Sequence, residues 1–387
     1  MRSGTGNDLD TRPPSTVSVP VNGPDDSYKD ARARGARYDR MAYLLVLALI
    51  VVLLPSIPLR GLWWDEAVYS MNALALLDDS ELYESFRPPA LHTLLAVTSA
   101  ITGMHPLWTG RSASVLALFI TLLLTHAITL RRHGQLPALV AMSILLGSWA
   151  TISMAGLALS DSLSLCLATV GVLCLFRQWW RLYGIVCALG LFTRYTNGIM
   201  LIVIPLLMLR RRWSDAMLVA IMFALACLPW FGGNLVATGN PVHPMYLNFI
   251  VDRGFPASSP TYYIEHLVEL FVPITLPLFI LGIAAYRRGQ QDTLPFMVAL
   301  AFIVFHMVHP HKEMRYLFPV LPVYTVACGA GLVHLSWEER SRKAVALAIV
   351  AVHIASMAAM LLVLRADTGL QDMVAITHWI DDQEPHD

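Results

Sequence analysis

Charge is what this chain has least of. Only 14% of its 387 residues are charged, 56% are hydrophobic, and the mean hydropathy is +0.57. A soluble domain carries about 25% charged residues, so the composition excludes an ordinary water-soluble protein and calls for an integral membrane one. Net charge is absent as well: 27 basic residues balance 27 acidic ones, leaving no basic excess for a nucleic-acid partner. Cysteine is sparse. Cys166, Cys174, Cys187, Cys227 and Cys328 all lie inside apolar runs without metal-ligand spacing. They make neither a disulfide framework nor a zinc site and read as small buried hydrophobes. The first forty residues hold no apolar core of a signal peptide. They are polar and rich in Pro, Gly, Asp and Arg, and a disordered cytoplasmic tail is expected over 1–40, with the first span an uncleaved anchor. Strand-like alternation and 20–50-residue repeats are also missing.

Apolar runs fill the rest. They fall at 41–59, 110–130, 136–155, 159–176, 182–193, 196–209, 214–231, 266–286, 293–308, 316–335 and 344–364. Most approach the ~20 residues that a helix needs to cross the hydrocarbon. The fold class expected is therefore an all-α bundle of about eleven transmembrane helices over 41–364, with an outer tail at 365–387. The short runs on either side of Arg194 are either two helices with a tight outer turn or one broken helix. Within the tail, Met373 to Asp381 reads as an amphipathic helix on the outer surface.

A further apolar segment, 88–104, begins at Pro88-Pro89 and ends at Gly103. If it does not cross, 19 of the 27 Arg and Lys residues face the cytoplasm, as the positive-inside rule requires. If it crosses, every cluster from Arg131 onward faces outward. A helix lying in or dipping into the outer leaflet is the expectation, with the N-terminus inside and the loop 60–109 outside.

That loop opens with Gly61-Leu62-Trp63-Trp64-Asp65-Glu66, two adjacent carboxylates beside tryptophans, which favour the membrane–water boundary. The pair is either a helix cap or the start of a reactive site. The outer edge also holds Glu84, Asp161, Arg87, Arg194, Lys312 and Arg315, with His92, His309 and His311 near them in sequence. Ionisable groups at the rim of a bundle are costly unless paired or used. Each has a plain alternative: Asp161 as an N-cap with Ser160, Arg87 snorkelling to headgroups, and the 309–316 turn as ordinary solvated chain. An acidic base beside several cations suits a reaction in which a phosphate leaves and a hydroxyl attacks.

Six stretches, in order, resemble the GT-C class of polytopic glycosyltransferases, above all the protein O-mannosyltransferases and lipid A aminoarabinose transferases. They are Asp65-Glu66; Glu84-Ser-Phe-Arg87-Pro88-Pro89-Ala-Leu-His92; Gly103 through Arg111; Leu159-Ser-Asp161; Leu189-Gly-Leu-Phe-Thr-Arg194, with arginine for the usual lysine; and Lys312-Glu-Met-Arg315-Tyr316 running on to Pro322. The resemblance covers about 41–380. It implies a hexosyl or pentosyl transferase drawing on a polyprenyl-phosphate sugar, with a lipid, glycan or protein acceptor. Asp65 would be the general base of an inverting displacement, and Glu66 or Asp161 would orient the acceptor or tune Asp65. Arg87, Arg194 and Arg315, with Lys312 and Tyr316, would hold the donor phosphate. Some members use a divalent metal such as Mg or Mn. Asp65, Glu84, Asp161, His309 and His311 are candidate ligands, and Glu84 and His92 belong to the same acceptor-or-metal group. The site would face the outside of the plasma membrane, or the endoplasmic reticulum lumen in a eukaryote. The competing class is a transporter or flippase, which calls for midplane charges and matching halves; here the charges lie at one edge.

Overall fold

The computed structural model describes residues 38–47, 62–82, 84–253, 257–266, 273–288, 293–335 and 337–366. Of the tail expected over 1–40, residues 1–37 lie outside them, as do most of the first span and the amphipathic helix at 373–381, while 38–40 are helical. Among the described residues every regular element is helical. In order these are α1 (38–47), α2 Trp64–Leu77, α3 Pro89–Thr102, α4 Pro106–His133, α5 Gln135–Leu146, α6 Trp149–Met154, α7 Ser160–Arg177 and α8 Trp180–Thr193. A 3-10 stretch, Tyr195–Ile202, leads into α9 Val203–Leu209, followed by α10 Trp213–Thr238, α11 His243–Arg253, α12 Tyr262–Glu265, α13 Leu276–Arg288 and α14 Leu294–Val308. A second 3-10 stretch, Met314–Val320, opens α15 Leu321–Val333, and α16 is Glu339–Ala366.

Among the described residues each expected span from 110 onward contains helix; 267–272 of the span at 266–286 lie outside them. Among the described residues five helical stretches are long and apolar enough to cross a bilayer by length and composition: Pro106–His133, Ser160–Arg177, Trp213–Thr238, Met314–Val333 and Glu339–Val363. The chain is a multi-pass membrane protein. Arg194 resolves the ambiguity at 182–209. Its backbone is extended, with φ −150° and ψ 126°, and the chain reverses there. The Tyr183 hydroxyl donates to the Met200 carbonyl at 3.0 Å, and Asn197 Nδ2 donates to the Gly190 carbonyl at 3.1 Å. These contacts make two antiparallel pieces with Arg194 at their tip.

The expected span 136–155 is broken at Gly147. α16 presses on it so closely that a Cβ there would lie 2.6 Å from His353 Cβ, and the freed Gly147 carbonyl accepts from Ser356 Oγ at 3.2 Å. Side chains and neighbouring helices commonly re-satisfy such freed groups in a membrane.

Close approach of small residues also holds α13 to α15. A Cβ on Gly282 would meet the Ala327 carbonyl oxygen at 1.9 Å, and one on Gly331 would meet the Leu278 oxygen at 1.9 Å. Association of helices in lipid rests on such packing rather than on apolar burial. Gly331→Val should therefore force the pair apart and cost about 1–3 kcal/mol, the usual range for overpacking. The check is thermal unfolding in detergent; an unchanged midpoint would remove this contact from the account.

Candidate active site

The acidic pair divides at the first turn of α2. Glu66 turns inward and is fully buried. Its carboxylate accepts both guanidinium branches of Arg111 on α4 at 2.9 Å, the Ala158 N–H at 2.6 Å and the Trp63 N–H at 3.1 Å. The last bond caps α2. The expectation of a catalytic Glu66 is thus corrected: its oxygens are occupied by structural partners, and it braces α2 against α4 and the chain entering α7. Asp65, one residue earlier and about 100° round the helix, faces a cavity instead. Trp63 and Trp64 are exposed beside it.

The cavity has a volume of about 110 Å³ and is lined by Asp65, Tyr69, Arg87, Pro88, Ser160, Arg194, Tyr195, Thr196, Asn248, His309, Arg315 and Tyr316. Asp65 is gripped from two sides, by Arg87 at 3.0 Å and Arg315 at 2.9 Å. Burial alone would raise its carboxyl, but Arg315 and then Arg87 outweigh burial and hold it below the ordinary carboxylate range. Arg194 is bonded to Asp161, and its guanidinium stacks over the Tyr316 ring, 4.7 Å from the centroid. Asp161 is thus an ion-pair partner at the start of α7 and not an N-cap; Arg315 lies 3.7 Å from its other oxygen. Residues 250 positions apart meet here because α2, the 194 turn and the Met314–Val320 stretch end at the same edge.

Second partners keep these guanidiniums in place. Glu84 holds Arg87 Nε at 2.6 Å, and the Glu84 peptide is bracketed by Asn72, whose amide donates to its carbonyl at 3.2 Å and accepts from its N–H at 3.3 Å. Glu313 holds Arg315 and accepts from His311 at 3.0 Å. Burial would raise the Glu313 carboxyl, but Arg315 dominates and lowers it.

Of the expected residues, Asp65, Arg87, Arg194, Arg315, Tyr316 and His309 line the cavity, and Asp161 sits behind it. Lys312, expected to support the phosphate, is buried elsewhere, with Nζ 3.4 Å from the Ser258 carbonyl. His92 is buried against Tyr69, their rings stacked at 6.4 Å, and Glu84 and His311 are engaged behind the arginines. Sequence reading missed Tyr69, Tyr195, Asn248 and Glu313. Tyr69 had a signal, since i and i+4 share a helix face with Asp65; Asn248, on α11, had none. Among the described residues no three of His, Cys, Asp and Glu gather as a metal site. Asp65, Glu84 and Asp161 each face a guanidinium. The Mg or Mn that some GT-C members use would have to compete with these guanidiniums for the carboxylates.

Residues 256–386 match the family model of Alg9-like mannosyltransferases. Among curated proteins none matches the chain by sequence. The fold is similar to that of ArnT from Cupriavidus metallidurans bound to undecaprenyl phosphate, with a TM-score of 0.65 and 18% identity over 80% of this chain and 63% of that one. It is also similar to the Archaeoglobus fulgidus oligosaccharyltransferase, with a TM-score of 0.54 and 14% identity over 88% of this chain and 57% of that one. The chain thus spans less than two thirds of the length of either. It carries the polytopic GT-C fold of these membrane transferases.

Proposed function

We propose that this protein is a membrane glycosyltransferase that moves a hexosyl or pentosyl group from a polyprenyl-phosphate donor to a hydroxyl of a lipid, glycan or protein acceptor. The observation that carries the reading is Asp65 clamped between Arg87 and Arg315 in a cavity that Arg194 shares. Among the described residues three guanidiniums and a single carboxylate line the same space, the charge pattern required by a departing phosphate and an attacking hydroxyl. The partial family match and the fold support the same reaction class.

Arg87 and Arg315 hold Asp65 as a weak base. A donor phosphate entering the cavity competes for their N–H groups through charge-assisted, bidentate bonds. As they turn to it, Asp65 loses its counter-charges, regains basicity and becomes free to accept a proton. The acceptor oxygen then attacks the anomeric carbon as the bond from that carbon to the phosphate oxygen breaks. The proton passes to Asp65, the electron pair leaves with the polyprenyl phosphate, and the configuration inverts. The growing charge on the phosphate is met by guanidiniums fixed in advance by Glu84, Asp161 and Glu313, the electrostatic arrangement that lowers barriers most.

The charge distribution along the loops supports a cavity on the outer face, with α3 beside it as a non-crossing helix. Transfer of radiolabelled sugar from a polyprenyl-phosphate donor in reconstituted vesicles tests the whole reading, and no transfer to any acceptor class would refute it. Within that assay, Arg194→Ala should lower donor kcat/KM about 10–100-fold, the loss of one or two bonds to a charged group at ~1.5–3 kcal/mol in all. Arg194→Lys should recover part of it. An unchanged kcat/KM in the alanine variant would take Arg194 out of the phosphate clamp.

A further inference from the structure

The opposite end of the bundle carries a second cavity that the transfer reaction does not use. α4 and α7 pack side by side and run the same way from the Asp65 end. From Asp161 to Arg177, α7 rises about 24 Å, most of the ~30 Å hydrocarbon thickness. There a cavity of about 220 Å³ opens between the two helices, lined by Ile128, Arg131, Arg132, Leu173, Phe176 and Arg177.

Its three arginines differ from those around Asp65. Every guanidinium lining the upper cavity has a carboxylate partner, whereas among the described residues no carboxylate pairs with Arg131, Arg132 or Arg177. Arg132 is held in place: its guanidinium lies 3.8 Å from the centre of the Phe176 ring and donates to the Phe176 carbonyl at 3.3 Å. Arg131 and Arg177 are exposed and reach toward the same opening. A basic residue in the last turn of each helix would satisfy its dipole. Three guanidiniums without a carboxylate partner among the described residues, round an opening with an apolar wall, exceed that need.

We propose that this cavity binds the phosphate of an anionic phospholipid, held by Arg131, Arg132 and Arg177, with the upper acyl chain against Ile128 and Leu173. Arginine forks match phosphate oxygens, and basic pockets between membrane helices at the positively charged face suit anionic headgroups. The apolar half of the lining distinguishes a lipid from a free anion. The site lies beyond reach of the Asp65 cavity and stands whether or not the protein transfers sugar.

The test uses the full-length protein purified in neutral detergent, with phosphatidylglycerol and phosphatidylcholine as probes. Native mass spectrometry should show one phosphatidylglycerol retained. Arg131→Gln/Arg177→Gln should weaken its binding about tenfold or more, from roughly 1 kcal/mol for each cation removed. Phe176→Leu keeps every charge but frees Arg132, and should weaken binding severalfold, so it decides the matter if the double variant fails to fold. Equal retention by wild type and folded variants overturns the proposal. So does equal binding of phosphatidylcholine, or protection against heating by inorganic phosphate that matches that of the lipid.

Discussion

Asp65→Asn should fold and insert as the wild type does and transfer sugar about 10²–10⁴-fold more slowly, the usual contribution of a positioned base. Folding survives because neither arginine is stranded: Arg87 keeps Glu84, and Arg315 keeps Glu313 and Asp161. The asparagine is nearly isosteric, so a loss of rate cannot be charged to a collapsed cavity. The pH profile adds a sharper demand. In the free enzyme burial pushes the Asp65 carboxyl up, but Arg315 and Arg87 pull it further down, so the group titrates below the ordinary value of about 3.9. The acid limb of kcat/KM, which reports the free enzyme, should therefore lie below that value. Once the donor phosphate engages the arginines, the limb of kcat should move upward. The donor phosphodiester keeps a single charge through this range and does not confuse the reading. Stability follows the same sign: a depressed carboxyl stabilises the fold above its unfolded pKa and loses that contribution only as pH falls through the lower folded one. A kcat limb at or below that of kcat/KM would sink the exchange of partners, and near-normal turnover by the asparagine variant would remove Asp65 as the base.

Arg111→Met should do the greater damage to the fold itself. Arg111 is 1% exposed and its partner Glu66 not at all. Removing one member of a buried pair leaves the other charge without compensation, at about 3–5 kcal/mol. Little folded protein should accumulate in the membrane, and what does should unfold early in a detergent melt. Replacing both, as Glu66→Leu with Arg111→Met, should recover most of the stability, since an apolar pair of similar volume often substitutes well. It should not recover transfer, because the α2 cap and the bond to Ala158 are lost and Asp65 drifts. A double variant as unstable as the single one would mean that shape, not charge, sets the cost.

The spans were legible because apolar length and the arginine clusters that punctuate it are one-dimensional signals; each run from 110 onward has its helix. The breaks were less legible. Gly147 interrupts its helix because His353, two hundred residues later, leans on it, and no local pattern announces that. At the site, residue types were readable and partnerships were not. The outer rim visibly held an excess of both signs, but only the fold pairs Asp161 with Arg194 and Arg315 with Asp65. Lys312 looked equal to its neighbours in the 309–316 turn, yet its ammonium is turned toward the Ser258 carbonyl. Glu66 misled for a related reason: two adjacent acids on a helix cannot share a face, so one of them had to leave the cavity.

The order of those two acids carries information in the way that thread direction does in a screw. Successive side chains stand about 100° apart on a helix, so exchanging Asp65 and Glu66 would keep composition and charge intact. It would still present a longer acid to the arginine clamp and a shorter one to Arg111. Neither contact is built for that reach. The dipeptide therefore behaves as a single oriented part, and loss of transfer after mutating Glu66 alone would count as evidence of lost alignment, not of a second reacting group.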